Sequence, residues 1–129
     1  MPLSAELANK KILLVDDVAS MRNMAKAILW DAGFKNVKDT DTGEHALKLI
    51  KSNNVSLVIC DWTMPGMSGL DLLKEIRHDD SFSSLSFLML TASSDIEYVK
   101  QAISEGVTDY ITKPFQAGTF CQKVISALT

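Results

Sequence analysis

Four short apolar runs in this chain each lead straight into a residue that can do chemistry. Asp16 and Asp17 follow "KILLV", Asp61 follows "VSLVIC", Thr91 follows "SFLML", and Lys113 follows the isoleucine and threonine of "TDYIT". Burial penalises a carboxylate more than almost any other group, so an Asp closing a greasy run needs a reason. Taken singly, each residue has an ordinary one. Asp61 reads as a turn residue ahead of Pro65 and Gly66. Asp16 and Asp17 read as negative charge at the start of a helix. Thr91 reads as a strand-end cap and Lys113 as a solvated lysine. Taken together they form a set suited to phosphoryl chemistry. A carboxylate can act as a nucleophile and carry an aspartyl-phosphate. Oxygen ligands without His or Cys favour a hard cation, Mg²⁺ above Zn²⁺. Clustered anions repel and raise the pKa of at least one member unless a cation joins them. Phosphoryl transfer mainly demands positioning and neutralised charge. Mg²⁺ on one side and Lys113 on the other would supply the neutralisation, with Thr91 donating to a further oxygen.

That reading holds only if the intervening elements bring these residues together. Residues 1–10 are polar and aperiodic, and are expected to be a loose lead-in. Strands are expected at Lys11–Val15, more weakly at Asn36–Thr40, then at Val55–Cys60, Ser86–Leu90 and Thr108–Thr112. Between them the apolar spacing turns helical. Met21, Met24, Ala25, Ile28, Leu29 and Ala32 form one stripe, stopped by Gly33. Ala46, Leu47 and Ile50 form a second, ending at Asn53. Ser68 with Asp71 fits a capping box for a helix through Arg77, and Ser94 with Glu97 fits another, lined by Ile96, Val99 and Ile103 and closed by Gly106. Ala117, Phe120, Cys121, Val124, Ile125 and Leu128 mark the last helix. The order βαβαβαβαβα predicts an α/β fold: one parallel sheet with helices on both faces and right-handed crossovers. For five strands the flavodoxin-like order is 2-1-3-4-5, which sets the first and third strands side by side, about 5 Å apart. Ligands in such sheets bind beyond the carboxyl ends of the strands, at that switch point. The acidic residues would meet there.

Composition narrows the function classes. The 129 residues suit one domain, 11–129 after the lead-in. A net charge of −3 argues against nucleic acid as a partner. No apolar run approaches the roughly 18 residues of a spanning helix, and the start has no signal-peptide pattern, so neither membrane insertion nor secretion is expected and the cytoplasm is. Cys60 and Cys121 form no CxxC pair and read as small buried hydrophobes; His45 and His78 lack ligand spacing and read as surface residues.

"LLVDD", "DWTMPGMSGLDLL", "LTA" and "DYITKPF" together resemble the receiver domains of bacterial two-component response regulators, from Lys11 to about Leu128. Within that family the chain is most similar to the stand-alone chemotaxis regulators of the CheY type. The resemblance implies that Asp61 is the phosphoacceptor, and that Asp16, Asp17, Asp61 and the backbone carbonyl of Thr63 hold Mg²⁺. It implies that Thr91 and Lys113 contact the phosphoryl group, and that the Lys113–Pro114 peptide is cis. Tyr110 matches the aromatic that turns inward when the Thr moves, changing an output face that includes Lys100, Thr112 and Lys123. The implied partners are a histidine kinase as phosphodonor, a target protein such as the flagellar motor switch, and a phosphatase. The protein would be a monomer and a signalling switch rather than a stand-alone enzyme, although it promotes its own phosphorylation and dephosphorylation. The chain departs from the subgroup at Thr63 and Ser93, where Asn and Glu are usual beside the attacking water, and at Asp95 and Ser126, where lysines are usual on the output face. Other readings are a non-flagellar partner or a phosphate sink. A Mg²⁺-dependent aspartyl phosphatase would set its acids as Asp-x-Asp under a cap domain, whereas "VDDV" pairs them directly. An FMN carrier would need a phosphate-cradling loop where two aspartates stand.

Overall fold

The computed structural model describes residues 3–92 and 96–129. Five strands form one parallel sheet: β1 (Lys11–Val15), β2 (Asn36–Thr40), β3 (Leu57–Asp61), β4 (Ser86–Thr91) and β5 (Asp109–Thr112), in the order β2-β1-β3-β4-β5. This is the order expected from the alternation of elements. Helices α1 (Ala5–Ala8), α2 (Ala19–Ala32), α3 (Gly43–Ser52), α4 (Gly69–Arg77), α5 (Ile96–Ser104) and α6 (Ala117–Leu128) surround it, with a 3-10 turn at Asp80–Phe82.

The three inner strands β1, β3 and β4 read as nearly unbroken apolar runs because both faces of the sheet are covered, whereas the edge strands β2 and β5 are more polar. Side chains alternate across it, and the core is accordingly split in two. Leu13, Val15, Val58, Cys60, Phe87 and Met89 pack with Ala46, Leu72 and Ile76 of α3 and α4 on one face. Ile12, Leu14, Leu57, Ile59, Leu88 and Leu90 pack with Leu29, Phe120 and Val124 of α2 and α6 on the other. Helix ends follow their local chemistry. Gly33 closes α2 in the left-handed region at φ 109°, open to it because it lacks a Cβ. The Ser68–Asp71 capping box forms as expected at the start of α4. The expected Ser94 cap of α5 lies outside the described residues.

Three expectations shift. Residues 3–10 of the lead-in are not loose: Ser4 caps the short helix α1, Ala8 is buried, and Leu3 packs against the α2–α6 side of the core. The Lys35 amide donates to the Ala8 carbonyl at 2.9 Å and anchors α1 beside β2. A polar, aperiodic stretch concealed this because little of it is buried: Ala8 is, and Leu3 and Leu7 are half-buried. The third strand begins at Leu57 and ends on Asp61 itself, so the carboxylate is the last residue of the ladder rather than the first of the turn. Cys60 is buried as expected, whereas Cys121 is only half-buried, at the edge of α6.

Candidate functional site

Two adjacent strands build the acidic corner. β1 and β3 pair with Val15 opposite Cys60, so residues 16 and 61 leave the sheet side by side. Carboxylate oxygens of Asp16, Asp17 and Asp61 lie within 4.8 Å of one another. Asp16 and Asp61 are 4% and 8% exposed, while Asp17 faces solvent. β4 and β5 deliver the other two groups. Thr91 ends β4, buried, and its carbonyl accepts the Lys113 N–H at 2.7 Å. The Lys113–Pro114 peptide is cis. Lys113 Nζ reaches back across the sheet to within 3.1 Å of Asp61 Oδ1 and 3.5 Å of Asp16 Oδ2.

The electrostatics follow from this packing. Burial raises the Asp61 carboxyl above its ordinary pKa; the Lys113 hydrogen bond and charge pull it back, and Asp16 and Asp17 push it up again. Asp16 Oδ2 is buried without a hydrogen bond. A buried carboxylate oxygen left with only a distant ammonium is an unusual feature. An oxygen-only donor set around such an atom fits a hard divalent cation. Beside the acids, burial holds the Cys60 thiol well above its usual pKa, which disfavours the thiolate.

The structure thus brings Asp16, Asp17, Asp61 and Lys113 together, with Thr91 at the adjoining strand end. Thr63 is exposed in the loop after Asp61. Of the output residues, Tyr110 is half-buried, and it lines a groove of about 410 Å³ with Thr112 and Lys123, between β5 and α6. Lys123 is not a free surface charge. It pairs with Asp109 at 3.1 Å, donates to the Tyr110 carbonyl at 2.9 Å and lies 5.3 Å from the Tyr110 ring. Lys100 is exposed on α5 and Ser126 is exposed on α6. Ser93 and Asp95 lie outside the described residues.

Sequence reasoning missed two features around the corner. The Trp62 ring stacks on Tyr98 of α5, with centroids 4.9 Å apart and planes 17° from parallel. Arg22 of α2 and Asp39 of β2 form a bonded pair beside Asp16. The only signal for the second is that an Asp and an Arg are placed where the fold brings β2 against the start of α2; nothing in their spacing declares it.

Comparison with known proteins places the chain in a family. The family described as the response regulator receiver domain matches residues 12–125. The chain is 45% identical over 116 residues to chemotaxis protein CheY-3 of Vibrio cholerae, covering 90% of this chain and 89% of the relative. It is 40% identical over 114 residues to chemotaxis protein CheY of Pseudomonas aeruginosa, covering 88% and 92%. Among solved structures it is similar to chemotaxis protein CheY4 of Vibrio cholerae, with a TM-score of 0.87, 30% identity, and coverage of 93% of this chain and 99% of that one.

Proposed function

The chain belongs to the response regulator receiver domain family, and from that premise we propose that it is a signalling switch thrown by phosphorylation of Asp61. The observation that carries this reading is the buried Asp61 carboxylate, ion-paired to Lys113 at 3.1 Å inside a corner it shares with Asp16 and Asp17. The phosphodonor is a histidine kinase. An Asp61 oxygen forms a bond to phosphorus as the phosphorus–nitrogen bond of the donor breaks, and the electron pair leaves with the donor imidazole. Lys113 stands where it can transfer its ammonium from Asp61 Oδ1 to a phosphoryl oxygen, and the Thr91 hydroxyl donates to another. Asp16, Asp17, Asp61 and the Thr63 carbonyl would hold Mg²⁺, which when bound supplies neutralising charge and orients the phosphoryl group. Hydrolysis reverses the switch: water adds to phosphorus and the Asp61 carboxylate leaves. Both steps occur on the protein itself, consistent with a signalling protein that turns over no free substrate.

Output follows through protein contacts in the cytoplasm. The similarity to chemotaxis proteins supports a place in chemotaxis; the target in this reading is the flagellar motor switch. Phosphate on Asp61 draws the Thr91 hydroxyl inward, and the half-buried Tyr110 ring follows, reshaping the groove it shares with Thr112 and Lys123. Intact-mass spectrometry after incubation with acetyl phosphate and Mg²⁺ tests the proposal. The parent should gain one phosphoryl group, Asp61→Asn none, and the parent with EDTA almost none. Equal labelling of parent and variant would sink the assignment.

A further inference from the structure

Every hydrogen-bonding atom of Asp16 is committed except one. Its N–H donates to the Thr40 carbonyl at 3.2 Å, and its Oδ1 accepts the Val18 N–H at 2.9 Å. Its carbonyl accepts Arg22 Nη1–H at 2.7 Å. Only Oδ2 has no hydrogen bond, and it faces the Lys113 ammonium at 3.5 Å.

Arg22 is itself anchored. Its Nε–H donates to Asp39 Oδ2 at 2.9 Å, and Asp39 Oδ1 accepts from Lys26 at 3.0 Å. Asp39 sits on β2 opposite Leu14 of β1, so the guanidinium ties the second strand to the turn that leaves the first. Burial pushes the Asp39 carboxyl up, but the hydrogen bonds and charges of Lys26 and Arg22 outweigh it and leave the group below its usual range. The anchor is therefore ionised at neutral pH. A guanidinium suits this task because two of its nitrogens point in fixed directions toward two acceptors at once.

We propose that Arg22 is a positioning residue for the acidic corner: braced on Asp39, it clamps the Asp16 carbonyl and so fixes where the unbonded Asp16 Oδ2 points. The inference rests on the reading of Asp16 as a ligand of the divalent cation. Its consequence runs against simple charge arithmetic. A cation beside a metal site repels the metal, so if Arg22 acted only through its charge, removing it would tighten Mg²⁺ binding. If Arg22 is a clamp, removing it loosens a ligand and weakens binding. The two accounts differ in sign.

The test is a Mg²⁺ titration followed by Trp62 fluorescence in a Trp30→Phe background, comparing the parent with Arg22→Ala and Arg22→Lys. The clamp predicts affinity lower by about tenfold in Arg22→Ala, the usual effect of losing a partner that orients a metal ligand. Arg22→Lys keeps the charge but offers one nitrogen in place of two, so it should fall between the parent and Arg22→Ala. Tighter binding in Arg22→Ala, or parent-like binding in both variants, overturns the clamp. A parent that does not respond to Mg²⁺ removes the reading of Asp16 as a ligand, and the clamp with it. A second readout needs no metal. The Val18 amide, bonded to Asp16 Oδ1, should exchange with deuterium faster in both variants, while the Ile111 amide of β5 keeps its parent rate. Equal acceleration at both amides would mean general loosening and would overturn the proposal.

Discussion

At the scale of single residues, Asp61 carries a cost that its proposed role requires. Ionised, it is mostly buried and lies near two other carboxylates, which raises its pKa in the folded state. The unfolded chain titrates near the ordinary value of about 3.9. Above the folded pKa, the protein bears the full penalty of an unwelcome charge. As pH falls through the folded pKa toward the unfolded one, the folded state takes up the proton first and the penalty disappears. Asp61→Asn should therefore be more stable than the parent at pH 7, by on the order of 1 kcal/mol. The gap should close in acid, as read from urea midpoints across that range. A parent more stable than the variant at neutral pH would contradict this account of the electrostatics. The site residues at strand ends were legible because a polar group terminating an apolar run stands out in one dimension. Arg22 and Asp39 were not, since their partnership arises from strand order and side-chain reach across 17 residues of sequence.

Helices and strands set tolerances that the sequence hides. Two of the glycines that lie within helices have opposite surroundings. A Cβ on Gly69, the first residue of α4, would run into the Asp61 carbonyl oxygen and come within 2.8 Å of Met89 Sδ. The Gly69 N–H also donates to the Trp62 carbonyl at 2.8 Å, so α4 starts jammed beneath the end of β3. A Cβ on Gly118 of α6 would meet nothing within 4 Å. Gly69→Ala should cost about 3 kcal/mol or more by overpacking and shift the acceptor. Gly118→Ala should gain about 0.5–1 kcal/mol through helix propensity. Thermal unfolding of the two variants checks both signs, and a neutral Gly69→Ala would show that the α4 start can retreat. Most elements were legible because the inner strands are short continuous apolar runs and the helices carry apolar stripes of period 3.6. α1 was not, because its anchoring is one leucine, one alanine and a backbone bond from Lys35.

For the molecule as a whole, the metal and the fold should be linked. A ligand bound only by the folded state adds stability that grows with the logarithm of its concentration, about 2.7 kcal/mol at a hundredfold excess over Kd. Mg²⁺ should therefore raise the parent's melting temperature by several degrees, and Asp17→Ala, whose carboxylate is exposed, should lose most of that rise, while its metal-free melting point stays at or slightly above the parent's because one charge repelling Asp61 is gone. An undiminished rise in Asp17→Ala would remove the acidic pair as the metal site. The most direct test of the central claim maps the phosphoryl group chemically. An acyl phosphate is reduced by borohydride to an alcohol, which converts a phosphorylated aspartate into homoserine and leaves unmodified aspartates intact. After treatment with acetyl phosphate and Mg²⁺, reduction and peptide sequencing by mass spectrometry should find homoserine at position 61, with Asp16 and Asp17 unchanged. Homoserine at position 16 or 17, or at none, would contradict Asp61 as the acceptor.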